Sequence, residues 1–234
     1  MAVGQETTRY LESFARLDER AAANGQAWLQ PVRRAAIARF GELGFPTTKD
    51  EDWRFTSVAP IAQTAFARPG DDQAEPALRA LDPFVFSGLG SPRLVFVNGR
   101  YSAALSSIGS LPAGVTVGSL ARALAAGRDV LERHLAQYAA FHEDAFCALN
   151  TAFMEDGAFV ILPRGTVLEA PIHLLYVSTE TAEPLITHPR NLVLAEEDSQ
   201  ATVVEDYVSL GDGVAFSNAV TEVVVGQNGV LSHT

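Results

Sequence analysis

Short apolar runs recur at a nearly fixed distance in the last third of the chain, each broken by a small or polar turn. Phe159-Val160-Ile161-Leu162 turns at Pro163-Arg164-Gly165 and continues through Thr166-Val167-Leu168. Leu192-Val193-Leu194 turns at Glu196-Glu197-Asp198 and continues through Ala201-Thr202-Val203-Val204. Val223-Val224-Val225 turns at Gln227-Asn228-Gly229 and continues into Val230-Leu231. The turn residues Gly165, Asp198 and Gly229 stand 33 and 31 residues apart. Runs of this length are strands, and a fixed return distance stacks each copy on the one before it. An antiparallel sandwich would show turns more often. The spacing therefore predicts a β-solenoid over residues 157–234. The pattern Val230–Thr234 has no closing turn, so we expect further chain or a partner to cover it, or strand-edge self-association.

Upstream the apolar period becomes helical. Tyr10, Phe14, Leu17 and Ala21 form one stripe, broken at Asn24-Gly25; Leu29, Val32, Ala36, Phe40 and Leu43 form a second. Residues 8–24 and 28–43 are predicted as a helical hairpin, ended by Gly44 and Pro46. Thr56 or Ser57 is placed to cap a short helix running to about Ala65. Pro69, Gly70, Asp71, Asp72, Pro76 and Pro83 give 68–83 the composition of a linker. Leu94–Val97 is predicted as a strand with a turn at Asn98-Gly99, and Val115–Val117 as another. Ser119 caps a helix ending at Gly127, Asp129 and Glu132 have capping-box spacing for the next, and Phe141, Ala145, Leu149 and Ala152 mark a third, ending near Asp156-Gly157. Three segments result: an N-terminal helical region (1–83), a transition segment with a strand and helices (84–156), and the first turns of the repeat (157–234).

The formal net charge is −11. Such a surface repels phosphate backbones and anionic lipid, which argues against nucleic-acid and membrane-surface roles. No apolar run approaches the ~20 residues of a membrane span. Met1–Tyr10 has no signal-peptide core, so a cytoplasmic protein is expected. One cysteine, Cys147, excludes an intrachain disulfide and a cluster held by several thiolates of this chain alone.

Candidate residues each carry two readings. Cys147 is a metal ligand with His142, Glu143 and Asp144, or a small apolar residue on a helix with that trio in solvent. Lys49, Glu51 and Arg54 are an acid/base group, or an ion-paired structural turn around Trp53. His173 in its strand, His188 before Pro189 and His233 in the last strand are imidazoles able to bind metal, yet none has further ligands near it in sequence, and metal sites need three or four. Gly211-Asp212-Gly213 is too short to cradle a phosphate. From the residues alone no catalytic, cofactor-binding or metal residue is assigned.

Four motifs stand in order: Gly44-Phe45-Pro46 through Lys49, Glu51, Trp53, Arg54, Phe55 and Thr56; Val97-Asn98-Gly99-Arg100-Tyr101; Leu149-Asn150-Thr151-Ala152-Phe153 leading through Asp156-Gly157 to Val160-Ile161-Leu162-Pro163-Arg164-Gly165; and Pro189-Arg190-Asn191-Leu192-Val193. Together they resemble the SufB/SufD family of iron–sulfur cluster assembly proteins over nearly the whole chain. The helical region and divergent middle resemble the SufD branch, since the SufB branch carries further cysteines. The resemblance implies a mainly β fold with a helical N-terminal region, a right-handed parallel β-helix truncated at its C-terminal end. It implies a non-catalytic scaffold that pairs with SufB and the SufC ATPase through surfaces downstream of Thr234. No cofactor is expected on this chain, and an iron–sulfur cluster only transiently in the full complex. The alternative is a β-helix lyase or hydrolase acting on polysaccharide, for which Glu205 and Asp206 would offer carboxylates on the outer surface.

Overall fold

Two apolar stripes become two packed helices. In the computed structural model, which describes residues 5–23, 27–70, 75–86, 90–127 and 129–234, α1 (Gln5–Ala23) presents Tyr10, Phe14 and Leu17 to Ala36, Ile37 and Phe40 of α2 (Gln30–Leu43). The predicted Asn24-Gly25 break, the Ala21 side chain, and Asp71-Asp72 of the linker lie outside the described residues. Pro31 occupies the first turn of α2, where its missing N–H would have no helical acceptor anyway. Gly44 ends α2 at φ 66°, its N–H donating to the Phe40 carbonyl.

A 3-10 turn (Glu51–Trp53), the short α3 (Ala59–Gln63) and a second 3-10 helix (Leu78–Phe84) follow. The strands β1 (Arg93–Val97) and β2 (Arg100–Ser107) form an antiparallel hairpin around Asn98-Gly99. Next come β3 (Thr116–Ser119), α4 (Leu120–Ala125), α5 (Asp129–His134) and α6 (Ala145–Phe153). Ser119 caps α4 by accepting the Arg122 N–H, and Asp144 caps α6 by accepting the Cys147 N–H. The remainder is β4 (Ala158–Leu162), β5 (Ile172–Ser178), β6 (Leu185–Thr187), β7 (Arg190–Ala195), β8 (Gln200–Ser209), β9 (Ala215–Ser217), β10 (Val220–Val225) and β11 (Val230–His233).

Among the described residues these strands form three sheets, in the orders β11-β8-β5-β1-β2, β10-β7-β4-β3 and β6-β9. The sequence copies pair in parallel: Val160 lies opposite Val193, and Val193 opposite Val223. Inward residues of the two larger sheets share one core, with Phe96, Val160, Leu174, Val193 and Val203 among its members. The outer face of β4 and β7 is buried too, under Leu120, Leu124, Leu131 and Leu135 from α4, α5 and the turn after it. That double burial is why Phe159–Leu162 and Leu192–Leu194 read as unbroken apolar runs. Helices α1, α2 and α6 pack with Ile186 of β6 in a third cluster. A stack of Phe96, Tyr176 and Tyr207, with successive centroids 4.8 Å apart, crosses β1, β5 and β8.

The architecture is mixed α/β, which corrects the expectation of a mainly β fold with a helical N-terminal region, a right-handed parallel β-helix truncated at its C-terminal end. No closed solenoid forms among the described residues. Parallel ladders are joined to antiparallel ones, since β1 pairs β2 and β3 pairs β4 in opposite directions within the same sheets. Helices supply whole walls of the core. The spacing of runs reported only that successive copies pair in parallel; β1, β2 and β3 belong to no repeat, so periodicity could not see them. The third turn also shifts by one residue. The left-handed positions are Gly165, Asp198 and Asn228, at φ 70°, 57° and 56°, and not Gly229. Asp and Asn tolerate that region, so the repeat conserves a backbone conformation while the residue type changes. Asn228 Nδ2 donates to the Asp198 carboxylate at 3.0 Å, stacking the two turns.

Candidate functional site

Residues from two of the four motifs, Asn98-Gly99-Arg100-Tyr101 and the Phe153 and Asp156 of the third, meet at one cleft. It has a volume of about 670 Å³ and is bounded by α2, the β1–β2 turn, α4, the end of α6 and the end of β6. The motif glycine Gly99 at φ 79° brings the hairpin turn within 3.0 Å of Thr187 at its rim, measured from where a Cβ would stand.

Asp156 is the fixed point of the floor. It is buried, and its Oδ1 accepts from Ser119 Oγ (2.7 Å), the Ala121 N–H (3.0 Å) and the Gly157 N–H (2.8 Å). Its Oδ2 accepts from the Tyr101 N–H at 2.9 Å. One carboxylate thus ties β2, α4 and β4 together. Burial pushes its pKa up, against these donors, which lower it.

Four arginines line the cleft, in a chain whose net charge is −11. Arg68 pairs with Glu155 and lies over the Phe153 ring. Arg122 lies over Tyr101, 4.7 Å from its centroid. Arg33 is 2% exposed; its Nη2 donates to the Met154 carbonyl at 2.6 Å, and its Nε has no partner. Burial lowers its pKa to about 10, so it remains a cation at neutral pH. Arg100 completes the set at the hairpin turn.

His188 lies between the cleft and a small cavity behind it. It is 8% exposed and stacks on Phe153 at 5.2 Å. Its Nδ1 sits 3.2 Å from Asn218 Nδ2, an amide that also donates to the Phe146 carbonyl. Nδ1 is therefore the acceptor and Nε2 carries the proton, and that Nε2 is buried without a partner. Burial, with a smaller contribution from the Arg68 charge, drives the pKa down to about 3. A folded-state pKa below the ordinary value near 6.5 contributes stability that is complete above that value and is lost as pH falls toward 3. The loss runs at about 1.4 kcal/mol per pH unit. His173 shifts in the same direction, and Asp156 in the opposite one. In urea unfolding, the advantage of the wild-type chain over His188→Gln should shrink by about 2 kcal/mol between pH 7 and pH 5. An advantage independent of pH would refute the neutral, buried imidazole.

The third and fourth motifs also meet behind the cleft, around a buried ion pair. Arg190 reaches Glu222 at 2.9 Å, both side chains fully buried. Arg190 Nη1 donates to Asn150 Oδ1 and Thr151 Oγ1, and Asn150 Nδ2 donates to the carbonyls of Pro189 and Asn218.

Other residues singled out in the sequence lie apart from the cleft. Cys147 is half-buried on α6 with its pKa raised by burial, while His142, Glu143 and Asp144 are exposed and Asp144 is spent on the helix cap. Among the described residues no three His, Cys, Asp or Glu side chains gather as metal ligands would. Lys49, Glu51 and Arg54 are exposed, and among the described residues no ion pair joins them; Trp53 packs on Phe146 and Arg54 lies over Phe55. The turn is held instead by Asp50, which accepts the Thr47 N–H at 2.7 Å. His173 is buried against Phe86, its Nε2 2.9 Å from Asp206; burial lowers its pKa, so it donates to that carboxylate as a neutral ring. His233 meets Glu205 at 2.8 Å. Glu205 and Asp206 do not share the outer surface. They alternate across β8: Glu205 turns inward to Thr221 and Tyr207, and Asp206 outward to His173. Paired carboxylates acting on one sugar need a common face, so this arrangement removes the polysaccharide reading.

The cleft itself was missed. Its arginines come from four separate elements, and no local spacing joins them. The only signal was indirect: Asn98-Gly99-Arg100-Tyr101 and Asp156-Gly157 were recognised as motifs without a role.

Similarity to known proteins follows the same residues. A family model of the SufBD protein N-terminal region matches residues 4–174, and one of the SUF system FeS cluster assembly SufBD core domain matches residues 176–234. An iron–sulfur cluster assembly SufBD family protein of Synechocystis is 32% identical over 209 residues, covering 86% of this chain and 46% of that protein. The iron–sulfur cluster assembly protein SufD of Bacillus subtilis is 25% identical over 100% of this chain and 52% of its own length, and that of Escherichia coli 28% identical over 87% and 45%. The chain spans about half the length of the curated relatives it matches. No helix among the described residues is long and apolar enough to cross a membrane.

Proposed function

The chain belongs to the SufBD family of iron–sulfur cluster assembly proteins, and on that premise we propose that it acts as a SufD-type, non-catalytic scaffold subunit in the cytoplasm. The observation that carries this reading is the order and extent of the two family matches, which together run from residue 4 to residue 234. The chemistry of the motif residues supports it. Asp156, Asn150, Arg190 and Asn191 are strongly polar, yet each spends its bonding capacity on holding elements together. A rigid frame is what a scaffold needs.

In this proposal the subunit pairs with SufB and with the SufC ATPase. The iron–sulfur cluster is cargo, held transiently by the assembled complex, and no residue here is assigned to it. Co-expression of the full-length protein with the SufB and SufC homologues of its own organism tests the reading. A complex that survives size-exclusion chromatography with all three subunits is the expected result. Elution of this protein alone, with SufB and SufC associated without it, would sink the proposal.

A further inference from the structure

We propose that helix α1 is an acid-sensitive latch: protonation of His188 beneath it releases α1 from the elements it packs on, while the sheets stay folded. Tyr10 and Ser13 of α1 close a cavity of about 30 Å³ together with Phe153, Ile186 and His188. At that seam the Tyr10 hydroxyl and His188 Nε2 are both buried without partners. Buried polar groups are nearly always bonded, and each one left unbonded costs free energy. Water satisfies both groups once α1 lifts, so opening removes a cost that the closed seam carries.

The bonding around the ring leaves no place for a second proton. Asn218 Nδ2 faces His188 Nδ1 at 3.2 Å while donating to the Phe146 carbonyl at 2.9 Å. Protonation at Nδ1 would set one donor against another. Among the described residues no carboxylate stands ready for the imidazolium either. The charged groups that line the two cavities with His188 are Arg9 from α1, Arg33 from α2, Arg68, Arg100 from β2, Arg122 from α4, and the carboxylates of Glu155 and Asp156. Tyr10 and Tyr101 are the phenols among them. Glu155 is paired with Arg68, and the Asp156 oxygens already accept from four protein donors. The Arg68 charge itself opposes protonation of the ring. An imidazolium is therefore stable only where α1 has opened and water reaches it.

Of the elements around His188, α1 is the one placed to yield. Its hold is chiefly packing: the Tyr10 ring stands edge-on to Phe40, Phe45 and Phe153, and Phe14 edge-on to Phe153. Its Asp18–Arg34 ion pair adds little, because the arginine is mostly exposed. By contrast, α2 is tied to the frame through Arg33 on the Met154 carbonyl and Arg39 on the His142 carbonyl. The strands are tied by their ladders. Local opening draws on the least tied unit of a fold. This inference stands on the seam under α1 and does not depend on the scaffold reading.

Amide hydrogen exchange of the full-length protein, corrected for the intrinsic rate at each pH, tests it. At pH 7.5 the amides of α1 from Tyr10 to Leu17 are expected to exchange at least about a hundredfold faster than those of β4 and β7, because α1 opens without them. A ring that is neutral when closed, and has the ordinary value near 6.5 when open, makes opening about tenfold more frequent at pH 5.5 than at pH 7.5. Protection of the α1 amides should fall by that factor, and in His188→Gln the fall should disappear. Tyr10→Phe removes a buried hydroxyl that has no partner, so it should raise α1 protection at both pH values and keep the pH dependence. Exchange of α1 in step with β4 and β7, α1 protection independent of pH, a fall that persists in His188→Gln, or weaker α1 protection in Tyr10→Phe would overturn the proposal. The wild-type measurements decide by themselves if a variant does not fold.

Discussion

Replacing Glu222 by glutamine is expected to lower the stability of the fold by about 3–5 kcal/mol, because it strands a buried cation. Glu222 and Arg190 are fully buried and 2.9 Å apart. The carboxylate does more than neutralise. Its Oε2 also accepts the Ala136 N–H, and its Oε1 accepts those of Tyr138 and Ala139, at 2.7–3.1 Å. Ala136 is held at φ 60°, a conformation an alanine adopts only when its surroundings impose it. One side chain on β10 thus clamps the turn after α5 against the outer face of the sheet. A glutamine can offer one oxygen to this ring of donors, but its amide then points N–H groups at Arg190 or at the turn. Buried ion pairs can often be exchanged for apolar pairs at little cost. Here the Arg190→Met, Glu222→Leu double variant should not recover the loss, because three backbone donors and Asn150 Oδ1 would stay without partners. Urea unfolding followed by circular dichroism checks both variants. A loss below about 1 kcal/mol for Glu222→Gln would show that the clamp is dispensable.

That cluster marks where the sequence was legible and where it was not. Local signals were clear. The stripes of α1 and α2, the cap at Ser119, and the Asn98-Gly99 turn follow from short-range chemistry, and all formed near where they were expected. The parallel pairing of β4, β7 and β10 was legible through the return distance of the apolar runs. The architecture was not. Periodicity is silent about elements that occur once, so the strand β2 and the antiparallel pairing of β3 with β4 were not foreseen, although a strand at Val115–Val117 was. Polar residues were harder still. Arg190 and Glu222 are 32 residues apart, and Arg33 and Met154 are 121 apart. Nothing in the local pattern distinguishes a buried arginine from a surface one; only the fold gives it neighbours. The family resemblance survived these errors because it rests on ordered motifs and not on the architecture inferred from spacing.

Gly157 is the position where a single methyl group should do the most damage, and Gly157→Ala is expected to destabilise the fold by roughly 2–6 kcal/mol, summing backbone strain and overpacking. A Cβ there would stand 2.1 Å from the Arg190 carbonyl oxygen, 2.6 Å from its carbon and 2.8 Å from its nitrogen. All three are backbone atoms at the start of β7, so no side chain can swing aside. The local backbone, at φ 156°, is also one that L-residues rarely adopt. The crossing cannot loosen without losses on every side. The Gly157 carbonyl accepts the Leu120 N–H at 2.7 Å, and the Arg190 N–H donates to the Asp156 carbonyl at 3.0 Å. Those bonds set the register of β4 against β7 and hold Asp156 under the cleft. Gly118→Ala is the control: it lies in β3, across the ladder from Phe159, and an added Cβ would meet nothing within 4 Å. Urea midpoints should separate the two variants widely, with Gly118→Ala within about 0.5 kcal/mol of the wild type. If Gly157→Ala unfolds as the wild type does, the close approach of these two backbones is not a requirement of the fold.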